Sequence, residues 1–110
     1  MTTIDRTLAA LAEPTRRRVI ELLREHPRRP TELAEVMNIS APRMSQHLRM
    51  LRDCGLVEEQ HNEPNDTRVR IYCLRRQPFD ELQNWLRDVE AFWSDQLGAF
   101  REHVEKKRRT

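Results

Sequence analysis

Between Pro30 and Gly55 two amphipathic helical patterns follow one another with only a few residues, Asn38 to Ser40, between them. In "TELAEVMNIS" Leu33, Val36 and Met37 point inward, and Thr31 is the expected N-cap. In "SAPRMSQHLRMLRDCGLV" Met44, Leu48 and Leu51 form the apolar side. Ser40 is placed to cap that helix, Pro42 to sit in its first turn, and Gly55 to close it from the C′ position. Two short helices across so tight a turn have the layout of a helix-turn-helix, whose second helix enters the major groove of DNA.

The opposite face of that second helix holds Pro42, Arg43, Ser45, Gln46, Arg49 and Asp53. A face that only had to be solvated would need charge alone. Serine, glutamine and arginine at helical spacing are instead the residue types that hydrogen-bond base edges or phosphates. Gln46 is the best candidate for reading a base, adenine by its amide geometry, and Arg49 for a phosphate or guanine. Arg43 has either a phosphate or solvent as its partner. His47 lies beside the Leu48 and Leu51 stripe and reads as a packing residue.

After Gly55, "LVEEQH" and "RVRIYCL" alternate in strand fashion around the turn-forming "NEPNDT", which predicts a hairpin, or wing, directly after the helix-turn-helix. Arg68 and Arg70 flank its tip, within reach of a phosphate backbone or groove, although Glu63 and Asp66 dilute their charge. Pairing His61 with Arg68 would set Leu56 opposite Cys73 with Cys54 nearby, an arrangement open either to a redox thiol pair or to two ordinary apolar cysteines.

Upstream, Ile4, Leu8 and Leu11 mark a short first helix, and Val19, Ile20, Leu22 and Leu23 the buried side of a second, with Pro14 in its first turn. Arg16, Arg17 and Arg18 crowd the start of the second helix, where the dipole disfavours cations, so another partner is expected, internal or external. From Phe79 to about Lys107 runs one long helical pattern: Leu82, Leu86, Val89, Trp93, Leu97, Phe100 and Val104, widened by Trp85 and Phe92. The small upstream core cannot cover such a face. It reads as a dimerisation helix packing with the first helix, the seam holding Ile4, Leu8, Leu11, Leu82, Leu86, Val89, Trp93, Leu97 and Phe100. The basic tail "EKKRRT" is expected to fray.

A length of 110 residues fits one domain over 1–110. Within it 1–12 and 78–107 are dimerisation helices, 30–54 the helix-turn-helix and 56–74 the wing. The predicted fold is mainly α, a winged helix-turn-helix with a two-stranded β wing and a long C-terminal dimerisation helix. The net charge is only +2, but it is uneven: residues 1–76 hold 14 arginines against 11 acids, and the remainder 6 basic residues against 7 acids. Arginine outnumbers lysine 18 to 2, which suits bidentate contacts with phosphate or guanine and equally follows from a biased genome.

Two cysteines form no disulfide framework, and no apolar run suggests a signal peptide or membrane span, so the expected location is cytoplasmic with reduced thiols. His26, His61 and His103 are dispersed. No nucleophile triad, phosphate-cradling glycine loop or paired carboxylates point to catalysis, and no cofactor is implied.

These segments resemble the ArsR/SmtB family of bacterial winged-helix transcriptional repressors. "LAEPTRRRVIELL" is similar to the family's opening pattern, "PTELAEVMNISAPRMSQHLRMLRDCGLVEE" to its helix-turn-helix and "RIYCL" to its wing strand, covering roughly residues 8 to 75. "WLRDVEAFW" is looser, similar to a subgroup with a long final helix.

The resemblance implies that Pro42, Arg43, Ser45, Gln46 and Arg49 lie at or near DNA, with Arg68 and Arg70 in the wing and Asn65 and Thr67 near its tip. It also implies homodimers that bind inverted repeats overlapping a promoter, commonly their own. At the family's thiolate metal site this chain has Arg29 and Thr31. At its final-helix metal site the chain has Glu90, Phe92, His103 and Lys106, too few ligands for zinc. A winged-helix protein-interaction module is the competing reading. Steep salt dependence of duplex binding separates the two, because only phosphate neutralisation releases counterions.

Overall fold

A computed structural model of the chain describes residues 2–61 and 70–109, the side chains of His61 and Arg109 apart. The described residues form α1 (Thr3–Leu11), α2 (Pro14–Glu25), α3 (Pro30–Met37), α4 (Ala41–Asp53), β1 (Val57–His61), β2 (Arg70–Leu74) and α5 (Arg76–Arg109). The architecture is a mainly helical winged helix-turn-helix with a two-stranded wing and a long C-terminal helix. Asn65, Thr67 and Arg68, expected in the wing, lie outside the described residues.

The helix ends follow from local chemistry. Thr2 and Asp5 form a reciprocal capping box on α1: the Thr2 hydroxyl accepts from the Asp5 amide at 3.2 Å, and the Asp5 carboxylate accepts from the Thr2 amide at 3.0 Å. The Thr2 amide and then its hydroxyl hold the Asp5 carboxyl below its ordinary value. Pro14 sits in the first turn of α2, which Glu13 caps by accepting from the Arg16 amide at 3.0 Å.

The crowded arginines have an internal partner. Arg16 donates to the carbonyls of Ala10 (2.7 Å) and Ala9 (3.3 Å), and Arg17 to that of Leu11 (2.7 Å). They cap the C-terminus of α1, whose last carbonyls lack intrahelical donors and whose dipole favours cations. Arg18 pairs on the surface with Glu21 at 3.1 Å.

Three further expectations need correction. The α3 N-cap is Arg29 and not Thr31, and it makes no side-chain cap bond. Pro30, with its fixed φ, takes the first helical position and starts the helix two residues earlier than a Thr31 cap would. Val36, expected inward, is exposed, and Ala34 joins Leu33 on the buried side.

The wing register is shifted by two residues. His61 pairs with Arg70, Glu59 with Tyr72, Glu58 with Cys73 and Val57 with Leu74. The base of the hairpin sets it: the Arg75 amide donates to the Leu56 carbonyl, and the Tyr72 amide and carbonyl exchange hydrogen bonds with Arg28, which docks along the outer edge of β2.

Ala10, Val19, Leu22, Leu23, Leu33, Ala34, Met44, Leu48, Leu51, Leu56, Val57 and Tyr72 form the core, with Phe79 packed against it. Beyond Phe79, α5 leaves the core. Its 34 residues rise about 50 Å, and the molecule measures 75 × 29 × 26 Å with a radius of gyration of 20.3 Å, against about 13 Å for a compact chain of this size.

Candidate nucleic-acid interface

Both flanks of α4 are fixed by left-handed residues. Before it, Asn38 (φ 53°) ends α3, with the Ile39 amide reaching back to the Ala34 carbonyl, and Ser40 caps α4 by accepting from the Arg43 amide at 3.3 Å. After it, Gly55 (φ 79°) sends its amide to the Arg52 carbonyl, while the Leu56 amide bonds the Leu51 carbonyl, both at 2.9 Å. This is a Schellman motif, and the buried Leu51 and Leu56 side chains are its hydrophobic pair. Gly55 therefore sets the direction in which the wing leaves α4.

With Met44, Leu48 and Leu51 buried, Pro42, Arg43, Ser45, Gln46 and Arg49 are all exposed. Among the described residues, the side chains of Arg43, Ser45, Gln46 and Arg49 make no hydrogen bond or ion pair. Ser45 and Arg49 line a cleft of about 190 Å³ between α4 and the wing, together with Pro30, Leu48, Arg52, Arg70 and Tyr72.

Two residues that the sequence reading passed over matter here: Arg52, which lines the cleft, and Glu59, which pairs with two of its arginines. Arg52 continues the row of Ser45 and Arg49 at i, i+4, i+7, a spacing that could have revealed it. Glu59 holds Arg70 at 3.1 Å and Arg52 at 3.4 Å, so the wing arginine already has a carboxylate partner. The row is basic with one acid set into it, and an incoming phosphate would compete with Glu59 for both guanidiniums.

His47 turns away from this face. Its side chain is 16% exposed and its Nδ1 lies 3.8 Å from Glu13 Oε2, tying α4 to the cap of α2. Burial pushes the Glu13 carboxyl up. The amides of Arg16 and Thr15, the Thr15 hydroxyl and His47 outweigh it and leave the value lowered.

The cysteines do not meet as the shorter register implied. Cys73 faces Glu58, with Sγ 3.7 Å from the carboxylate. Cys54 lies against the Met50 sulfur at 4.0 Å. Burial, then the charge and hydrogen bond of Glu58, push the Cys73 thiol up, the opposite of what an activated thiolate requires. Among the described residues, no group of three or more His, Cys, Asp or Glu side chains is placed to hold a metal ion. No helix there is long and apolar enough to cross a membrane.

The residues expected at a dimer seam divide by environment. Leu11 packs against the chain's own core, while Ile4 and Leu82 are half-buried where α1 meets α5. Leu8, Leu86, Val89, Trp93, Leu97 and Phe100 are exposed, Phe100 by 67%. Along α5 they recur every eleven residues: Leu82, Trp93 and Val104; Leu86 and Leu97; Val89 and Phe100. An eleven-residue period of 3.67 residues per turn keeps the stripe on one side of a nearly straight helix.

The family described as "Bacterial regulatory protein, arsR family" matches residues 13–59, from the α2 cap through α4 into β1. The chain is 34% identical over 101 residues to the HTH-type transcriptional regulator Rv2034 of Mycobacterium tuberculosis, covering 92% of this chain and 88% of that protein. It is 25% identical over 83 residues to the transcriptional repressor SdpR of Bacillus subtilis, covering 76% and 88%. Among solved structures, an ArsR family transcriptional regulator, RHA00566, superposes with a TM-score of 0.74 at 28% identity, covering 84% of this chain and 98% of the other.

Proposed function

The chain belongs to the arsR family of bacterial regulatory proteins, and from that premise we propose that it is a cytoplasmic homodimeric repressor that binds an inverted-repeat operator. The family is one of DNA-binding transcriptional regulators and not of enzymes. The observation that carries the finer reading is the face of α4: residues that recognise bases and phosphates, clear of the core, without protein partners among the described residues, beside a basic cleft.

In this reading Gln46 reads a base edge and Arg49 a phosphate or guanine. Pro42, Arg43 and Ser45 sit against the backbone, and Arg70, with Asn65, Thr67 and Arg68, follows the adjacent strand. The uncovered stripe of α5, with α1 beside it, pairs two copies so that their α4 helices enter successive major grooves about 34 Å apart. Similarity to SdpR supports repression over activation, through occupancy of the promoter, and binding to its own promoter would make the circuit autoregulatory.

Selection of bound duplexes from a random library at two salt concentrations tests this reading. The expected result is an enriched inverted repeat whose affinity falls steeply with salt. Failure to enrich any sequence would favour a protein-interaction module instead.

A further inference from the structure

We propose a second binding site, for a small oxyanion that still carries an O–H, in the cleft where α1 begins, α4 ends and α5 begins. The cleft has a volume of about 290 Å³, and Thr3, Arg6, Arg52, Asp53, Arg75 and Gln77 are among its walls. Two of its three guanidiniums lack an acidic partner among the described residues. The Arg6 side chain makes no hydrogen bond or ion pair there, and the Arg75 guanidinium donates only to the Gly55 carbonyl, at 3.4 Å. Asp53 lines the same cleft but stands beyond ion-pair reach of all three arginines. Positive groups held around an open middle repel one another, and an anion between them converts that repulsion into charge-assisted hydrogen bonds.

Asp53 narrows the ligand class. A fully deprotonated anion meets a like charge there, whereas an anion with a remaining proton donates it to the carboxylate as a hydrogen bond. Inorganic phosphate, which keeps an O–H near neutral pH, is the simplest such ligand, and sulfate is the matched anion without one.

The site also has a route to the α4 face, and this part rests on the DNA-binding reading above. Arg52 lines both clefts, and on the wing side it holds Glu59, which in turn holds Arg70. An anion that draws Arg52 toward Arg6 and Arg75 leaves Glu59 less neutralised beside the DNA, so the anion and DNA weaken each other's binding.

Calorimetric titration of the full chain with inorganic phosphate, against sulfate at matched ionic strength, tests the site without DNA. Phosphate is expected to saturate at one per chain and sulfate to bind at least tenfold more weakly. Arg6→Ala should abolish the phosphate signal, and Asp53→Asn should close the gap between the two anions. The Arg6 side chain has no bonds to lose among the described residues, so this variant keeps the fold, which circular dichroism verifies.

Absence of saturable phosphate binding, indifference to Arg6→Ala, or equal affinity for both anions would overturn the proposal. In a second arm, phosphate should weaken binding of the wild-type protein to its selected duplex at least threefold and leave Arg6→Ala unaffected. Equal weakening of both proteins would overturn the coupling. Loss of DNA binding in every condition would contradict the functional reading alone, because the calorimetric result is obtained on the free protein.

Discussion

Leu51 and Trp93 are both large apolar residues on the inner stripe of a helix, yet Leu51 is fully buried and Trp93 is 60% exposed. The difference runs through the whole molecule. From α1 to Phe79 most large apolar side chains of the described residues are covered by one another, Leu8, Val36 and Met50 excepted, and the helix-turn-helix and wing share one core. From Leu86 to Phe100, a stripe just as regular has nothing over it among the described residues. A contiguous exposed apolar surface of this kind marks an interaction site. The head is a unit that packs itself, and the long helix is a unit that has to be packed by something else. In the proposed dimer that cover is a second copy of the chain.

The largest expected effect breaks the contrast on the helix side. Trp93→Asp should leave the head folded by circular dichroism yet yield monomers, and operator affinity should fall about 10²–10⁴-fold as two linked binding events become one. On the head side, Leu51→Ala empties a closed core position and should lower unfolding free energy by about 2–5 kcal/mol in chemical denaturation. A third change touches neither packing surface: Gln46→Ala should relax preference at a single operator position by about 1–3 kcal/mol, whereas Arg49→Ala at a phosphate would weaken all sequences alike, as competition binding to single-base operator variants would show.

Gly55→Ala forces a side chain into left-handed backbone, where a Cβ would also meet the Arg75 guanidinium at 3.2 Å. It should cost more than about 1 kcal/mol by thermal unfolding and turn the wing relative to α4.

The smallest effect is acidic fraying of α1. The Asp5 carboxyl is lowered in the folded chain, so its stabilisation is fully present above the ordinary aspartate value and is lost as pH falls through the lowered one. Asp5→Asn should remove that pH dependence from the exchange of the α1 amides and leave the amides of α4 unchanged.

What the sequence disclosed was whatever depends on neighbours within a turn or two. The Met44, Leu48 and Leu51 stripe, the Ser40 cap, the Gly55 stop and the long apolar pattern of α5 are of this kind. What it concealed depends on residues distant in the chain. The wing register is set by Arg28 on one edge of β2 and by the bond from Arg75 to Leu56 at the hairpin base, neither of which strand alternation can reveal. A slip of two residues keeps every side chain on the same face, so the alternation fits both registers. Arg16 and Arg17 looked misplaced because their acceptors belong to the preceding helix. Glu59 changes the standing of Arg70 only once β1 and β2 are paired. At α3, Thr31 was the better capping residue by type, but Pro30 decided where the helix begins.

The decisive question is whether the bare stripe of α5 is covered by a second copy. Sedimentation equilibrium of the wild-type protein at micromolar concentration measures this directly. The predicted mass is twice the 13.2 kDa of one chain, and a mass of 13.2 kDa throughout the concentration range would contradict it.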